Sequence, residues 1–166
     1  DKILSNKNKT KSKVVISMIA LLVPWKNHIM LLKLISIICN KNVNVEFVIA
    51  GDGEKTYVKK LMDISQKLKI NNFVRFPGYI NNIPSFLGSV DILVHTTINE
   101  PFGRVFIEAM AAQKPVVAFD SGGPSEIVLN NETGYLIPDG NLESAADKIL
   151  HLINNIDKRI GMGKLG

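Results

Sequence analysis

The sequence predicts an α/β fold, a doubly wound parallel sheet with helices on both faces, and three observations carry that expectation. Short apolar runs alternate along the chain with segments of helical period. The runs are continuously apolar rather than alternating apolar and polar, as strands buried on both faces must be. The chain's 166 residues, 46% of them hydrophobic, amount to one domain with enough material to bury a sizeable core.

The first strand falls at 14–19, where "VVISMI" is apolar and rich in β-branched residues, and Pro24 closes the run that follows. Extended to "VVISMIALLV" behind a lysine-rich start, these letters imitate a secretory signal, but only Pro24-Trp25-Lys26 follows where a small-x-small cleavage site is required. "HIMLLKLISIIC" reads as a helix over about 27–39 capped by Asn27; it is too short to cross a bilayer and contains Lys33. "NVEFVIA" (44–50) is the second strand, ended by the turn Gly51-Asp52-Gly53. A helix over about 54–68, a strand at 73–76 and a short helix near 83–88 follow. "VDILVH" (90–95) is the fourth strand, then come a helix at 103–113 and "PVVAF" (115–119) as the fifth strand. A brief helix near 124–129, a strand at 134–137 and a helix at 141–154 complete the alternation. The resulting division is a basic linker or tail over 1–13, an α/β domain over 14–155, and the start of a C-terminal helix or tail over 156–166. The chain reads as soluble, and as a fragment, since it begins at Asp1.

The formal charge of +5 belongs almost entirely to the start of the chain. Residues 1–13 hold Lys2, Lys7, Lys9, Lys11 and Lys13 against Asp1, a surplus of four that leaves +1 for the rest. Without aromatic residues, such a stretch reads as a solvated linker, and nucleic acid is not expected as a partner. Cys39, the single cysteine, lies among Leu34, Ile37 and Ile38 and reads as a small buried hydrophobe. His28, His95 and His151 lack a cysteine or carboxylate at ligand spacing, so no metal is expected. His95 alone ends a strand near the expected cleft. There is no Ser-His-Asp arrangement, and Gly51-Asp52-Gly53 is not a dinucleotide fingerprint.

In a doubly wound sheet, ligands bind where loops leave the carboxyl ends of the strands. The loop "TTINEPFG" (96–103) leads into a helix whose first amides lack intrahelical partners and form a ready anion site. Gly103 allows close approach and Pro101 fixes the turn. Glu100 stands one step before this anion site, and Glu108 about a turn and a half into the helix. Together they offer carboxylates to hydroxyls on either side of a bound phosphate, the layout of a nucleotide sugar. The same spacing also suits a surface pair of Glu108 with Arg104, worth a few tenths of a kcal/mol.

"EPFGRVFIEAMAAQKPVVA" resembles the E-x7-E motif of the family 4 retaining glycosyltransferases of GT-B fold. "LLVPWKNHIMLL", "FVIAGDGE", "VRFPGYINN", "SFLGSVDILVHTT", "DSGGPSEIV" and "NETGYLIP" fall in that family's order over about residues 14–155. The resemblance implies a Rossmann-like C-terminal half of a GT-B architecture, the part that binds the nucleoside diphosphate sugar, with an N-terminal acceptor domain missing from the chain. It implies a catalytic role for Glu100 toward the donor sugar. Lys26 and the backbone of Phe102, Gly103, Arg104 and Val105 would hold sugar and phosphate, and Glu108 the ribose. Gly78, Tyr79, Ile80 and Asn82 would line the base. Gly122-Gly123 permits close backbone approach near the site. No cofactor or metal is implied; helix amides, Lys26 and Arg104 take the place of a divalent ion. The chain alone would bind donor without turning it over, in a cytoplasmic enzyme for which peripheral attachment to a membrane face is open.

Two departures stand out. Ala20-Leu21 occupies the place of the family's Gly-Arg, so one phosphate contact is missing, and Gln113 stands where glycine is common. Two rival readings remain: a non-catalytic sugar-nucleotide-binding subunit, favoured by Leu21, and a nucleotide-sugar epimerase or phosphorylase of similar architecture.

Overall fold

The computed structural model describes residues 13–166; the basic segment over 1–12 lies outside the described residues. Six strands form one sheet: β1 (Val14–Ile19), β2 (Val45–Ala50), β3 (Val74–Gly78), β4 (Ile92–His95), β5 (Val116–Phe119) and β6 (Gly134–Ile137). All neighbours pair in parallel, in the order β3-β2-β1-β4-β5-β6. The helices between them are α1 (His28–Cys39), α2 (Lys55–Lys67), α3 (Ile83–Gly88), α4 (Arg104–Ala111) and α5 (Gly123–Ile127), and α6 (Leu142–Asn154) and α7 (Ile156–Leu165) follow β6.

The continuously apolar strands are explained by two cores, one on each face of the sheet. Ile92, Val94, Val117 and Phe119 join the larger core under α1, α2 and α6. Their neighbours Leu93, Val116 and Ala118 point the other way, into a smaller core with Leu87 of α3 and Phe106 and Ala109 of α4. Successive residues of one strand thus feed opposite cores, and both must be apolar. A fully buried side chain such as Leu32, Ile35 or Phe106 contributes about 2 kcal/mol by leaving water. Ser17, the one polar residue in the middle of β1, is fully buried and donates its hydroxyl to the Val48 carbonyl at 2.8 Å.

Several helix ends differ from the sequence reading by local chemistry. Asn27 does not cap α1 through its side chain; it adopts a left-handed conformation with φ 56° and makes no capping hydrogen bond. Asn82, Asn141 and Asn155 are the asparagines that cap, accepting from Ser85, Ser144 and Lys158 amides respectively. α4 ends at Ala111 because Gln113 turns left-handed with φ 58°, the conformation that favours glycine there. Cys39 is half-buried rather than enclosed, and burial raises its thiol to about 11.

Residues 156–165 form α7, which packs on α6 and α4 with Met162 buried. Its Arg159 donates to the Leu152 carbonyl at 2.7 Å and pairs with Asp91 at 3.8 Å. Asp91 in turn accepts from the Val15 amide, fastening the start of β1 to the last two helices. Among the described residues no helix is long and apolar enough to cross a membrane.

Candidate functional site

Strand β1 pairs with β2 along six residues but with β4 at only two, Ile16 opposite Ile92 and Ser17 opposite Leu93. Beyond Leu93 the sheet divides, and the loops after β1 and β4 flank the opening. This is the point where strand order reverses, the expected place for a ligand in such a sheet. Two threonines tie the gap by side chains: Thr96 donates to the Asn27 carbonyl at 3.1 Å and Thr97 to the Lys26 carbonyl at 3.4 Å.

The resulting crevice of about 450 Å³ brings together Lys26, Glu100, Phe102, Gly103, Arg104, Val105 and Glu108, all seven drawn from the sequence. A larger open groove of about 530 Å³ along α6 contains none of them.

The position of Lys26 follows from its local chain. Pro24 starts a single 3-10 turn over Pro24–Lys26, and the left-handed Asn27 then redirects the backbone into α1. Lys26 is thereby turned inward. It is not a solvated lysine: its ammonium lies 2.5 Å from Glu100 Oε2, with both side chains about nine-tenths buried. The same ammonium sits 4.1 Å above the ring of Trp25, which is itself half exposed at the rim.

Glu100 is held by its backbone. Its carbonyl accepts from the Gly123 amide at 2.7 Å, and the Asn99 amide donates to the Ser121 hydroxyl at 2.9 Å, stitching this loop to the one after β5. The two glycines there are required by contact. A Cβ on Gly122 would lie 2.3 Å from the Glu100 carbonyl oxygen, and one on Gly123 2.0 Å from that of Phe102.

At the head of α4, Gly103 has φ 79° and rests against the Phe106 ring, which would collide with any side chain placed there. The Arg104 and Val105 amides begin the helix and have no intrahelical acceptor, so they present donors to the crevice. Glu108 is exposed on α4 and forms no ion pair with Arg104 among the described residues. Leu21 lines the same crevice and is 61% exposed, so it is a surface residue of the site and not part of the core.

Gly78, Tyr79, Ile80 and Asn82 are not brought into this crevice. They follow β3, the edge strand two places from β1, and Gly78 lines a separate groove with Gly51, Asp52 and Gly53. Tyr79 is 70% exposed, and the Asn82 side chain already serves the first turn of α3. The Gly51-Asp52-Gly53 turn has a structural cause: a Cβ at Gly51 or Gly53 would strike the carbonyl of Ala20 or Leu22.

His95, noted in the sequence only for ending a strand, stands at the floor of the crevice with its side chain 2% exposed. Its Nε2 is 4.0 Å from Glu100 Oε2, and its ring meets Phe106 edge to face at 5.1 Å. Burial, and then the charges of Lys26 and His28, push it down to about 3, so the imidazole is neutral. Among the described residues no group of three or more histidine, cysteine or carboxylate side chains is placed to hold a metal ion.

Residues 1–165 match the sequence profile of the family described as Glycosyl transferases group 1. The chain belongs to that family. Among curated relatives of this group 1 domain, the poly(ribitol-phosphate) alpha-N-acetylglucosaminyltransferase of Staphylococcus aureus is 35% identical over 143 residues, covering 85% of the chain and 28% of the relative. The capsular polysaccharide biosynthesis glycosyltransferase CapM of S. aureus is 31% identical, covering 82% and 36%. Among solved structures, Anabaena HepE in complex with UDP-glucose superposes with a TM-score of 0.84 at 31% identity, over 93% of this chain and 43% of that one. S. aureus TarM superposes at 0.83 and 32% identity, over 92% and 31%. The chain thus spans between 28% and 43% of the length of these proteins. Its sheet and helices are those of the GT-B glycosyltransferase neighbours.

What the sequence of this group 1 domain did not disclose is the direct pairing of Lys26 with Glu100, 74 positions apart. The aim of His95 at the same carboxylate was equally hidden, although "VDILVH" does place a polar residue at the carboxyl end of a buried strand. Trp25 beneath the lysine was a further signal within Pro24-Trp25-Lys26.

Proposed function

We propose that this domain binds the nucleoside diphosphate sugar of a retaining glycosyltransferase, and that an acceptor-binding domain outside the chain completes the enzyme. The observation that carries this reading is the convergence, in one crevice, of a buried ammonium, the free amides at the head of α4 and two carboxylates eight positions apart. The Arg104 and Val105 amides with Lys26 hold the diphosphate, Glu100 accepts from hydroxyls of the transferred sugar, and Glu108 from those of the ribose. Gly78, Tyr79, Ile80 and Asn82, on the loop after β3 and outside the crevice itself, edge the base. As the bond from sugar to phosphate breaks, negative charge grows on the departing diphosphate while the sugar becomes oxocarbenium-like. Donors already fixed around that charge lower the barrier without reorganising. No step is asked of the chain alone, which binds and does not turn over.

A uridine nucleotide is the first candidate, supported by HepE and TarM relatives solved with UDP. The test is calorimetric titration of the chain with UDP-glucose, UDP-N-acetylglucosamine, GDP-mannose and ADP-glucose. Binding at millimolar to high micromolar strength, roughly −4 to −6 kcal/mol, is expected for one of them. Glu100→Gln should weaken that sugar nucleotide far more than its bare diphosphate. A flat response to the whole panel at millimolar ligand removes donor binding from the account.

Leu21 favours a second reading, a sugar-nucleotide-binding subunit without catalysis, because an exposed leucine supplies no phosphate contact where a cation would. Transfer activity of the full-length protein, assayed with the donor found above, separates the two.

A further inference from the structure

The Lys26–Glu100 pair creates a difficulty for any ligand that carries a diphosphate. Phosphate oxygens that draw the ammonium to themselves deprive Glu100 of its hydrogen-bonded partner, and a carboxylate about nine-tenths buried cannot be left bare without a large penalty. The next nearest donor is already in place. His95 Nε2 lies 4.0 Å from the same Oε2, too far for a hydrogen bond in the ligand-free chain but about 1 Å from one. The ring cannot turn away easily, since it is packed edge to face on Phe106 and enclosed by the floor of the crevice. Its Nδ1 has no hydrogen-bond partner among the described residues, so nothing competes for the orientation of the imidazole from behind.

We propose that His95 is a positioning residue for Glu100, taking over the carboxylate through its Nε2–H when a diphosphate takes Lys26. In the empty crevice the carboxylate is fastened to lysine. In the occupied one it is fastened to histidine, and a small rotation of the carboxylate leaves its second oxygen facing the sugar. The imidazole performs this as a neutral donor, because burial pushes it down to about 3 and it carries one N–H at working pH. A protonated ring would instead add a second cation beside Lys26 and pull Glu100 over before any ligand arrived. The inference rests on the donor-binding reading given above.

The decisive measurement follows the ring nitrogens of His95 by long-range proton–nitrogen NMR, with UDP, GDP and ADP added in turn to the isotopically labelled chain. With the nucleotide that binds, the Arg104 and Val105 amides should move, and the His95 Nε2 proton should shift downfield by about 1 ppm or more with the ring still neutral. If those amides move while the His95 ring does not, His95 has no part in holding Glu100 and the proposal falls alone. If none of the three nucleotides moves any of these signals, the donor-binding reading falls and takes this inference with it. A second arm uses variants. His95→Leu, which fills the space without an N–H, should weaken the nucleotide about 5- to 10-fold, whereas His95→Gln, which returns an N–H near the same point, should stay within about twofold of the parent. Equal losses in the two folded variants would mean that the ring matters only for packing and would overturn the proposal.

Discussion

Burial pushes His28 down to about 4 and His95 to about 3, so both imidazoles are neutral in the folded chain across the physiological range. In the unfolded chain each titrates near 6.5. Below that pH the unfolded state binds protons that the folded state does not, and stability falls as the pH drops toward the folded values. By pH 5 the loss is about 2 kcal/mol per histidine, a large share of a typical domain's stability. Urea midpoints measured from pH 7.5 to 5 should therefore decline steeply, and His28→Gln should remove roughly half of the histidine contribution to that slope. A slope unaltered by His28→Gln would place the titration elsewhere. Leu21 offers a test in the opposite direction, toward gain. At 61% exposure the position accepts a solvated guanidinium, so Leu21→Arg should leave the fold intact and tighten diphosphate binding by about 1–2 kcal/mol. The gain should shrink as salt rises. A folded variant with unchanged affinity would show that position 21 does not reach the phosphates. Glu108→Gln belongs beside it: a loss of about 1–3 kcal/mol, equal for nucleotide and nucleotide sugar, is expected from removing one charged acceptor. Calorimetry that finds no loss returns Glu108 to an ordinary place on the helix surface.

The loops that carry the site are shaped by glycines pressed against carbonyl oxygens. Gly123→Ala would set a Cβ 2.0 Å from the Phe102 oxygen, so the segment over 100–102 must shift, at a cost of about 1–3 kcal/mol. Gly88→Ala is the control, since a Cβ there meets nothing within 4 Å inside α3 and alanine is the better helix former. Chemical denaturation of both variants checks the pair, and equal stability would mean that the loop yields without strain. At this scale the sequence was informative about where elements lie. Six runs became six strands, and in β4 and β5, fed by cores on two sides, composition has little freedom, whereas the edge strand β3 keeps Arg75 exposed. Their ends were less legible. Asn27 looks like a cap and instead turns left-handed, a conformation asparagine tolerates better than most residues, where the chain must swing from the Pro24–Lys26 turn into α1. Gln113 takes a glycine's conformation for the same kind of reason: the chain must reverse there to enter β5.

Across the whole molecule the two cores share β4 and β5, so neither face of the sheet can melt while the other persists. Calorimetry should show one transition, and a sugar nucleotide at tenfold its dissociation constant should stabilise the fold by about 1.4 kcal/mol, raising that transition by roughly 3–6 °C. Two separate transitions would contradict the shared-core account. The site's membership was readable from sequence insofar as it sits on one loop and one helix, Glu100 to Glu108. Lys26 entered only through resemblance, and its partner could not be foreseen, because contact across 74 positions depends on β1 and β4 being neighbours. Alternation of strands and helices does not encode that order. The loop after β3 likewise entered through resemblance, and the edge position of β3 sets it two strands from β1, outside the crevice that holds Lys26 and Glu100. Above Leu93 no ladder joins β1 to β4, and the span is set by the hydroxyls of Thr96 and Thr97 on the carbonyls of Asn27 and Lys26. Valine at either position keeps the volume and removes the tether. The mouth of the crevice thus hangs on two side-chain hydroxyls, while the rungs below it and the twin cores they support rest on backbone pairing and apolar packing.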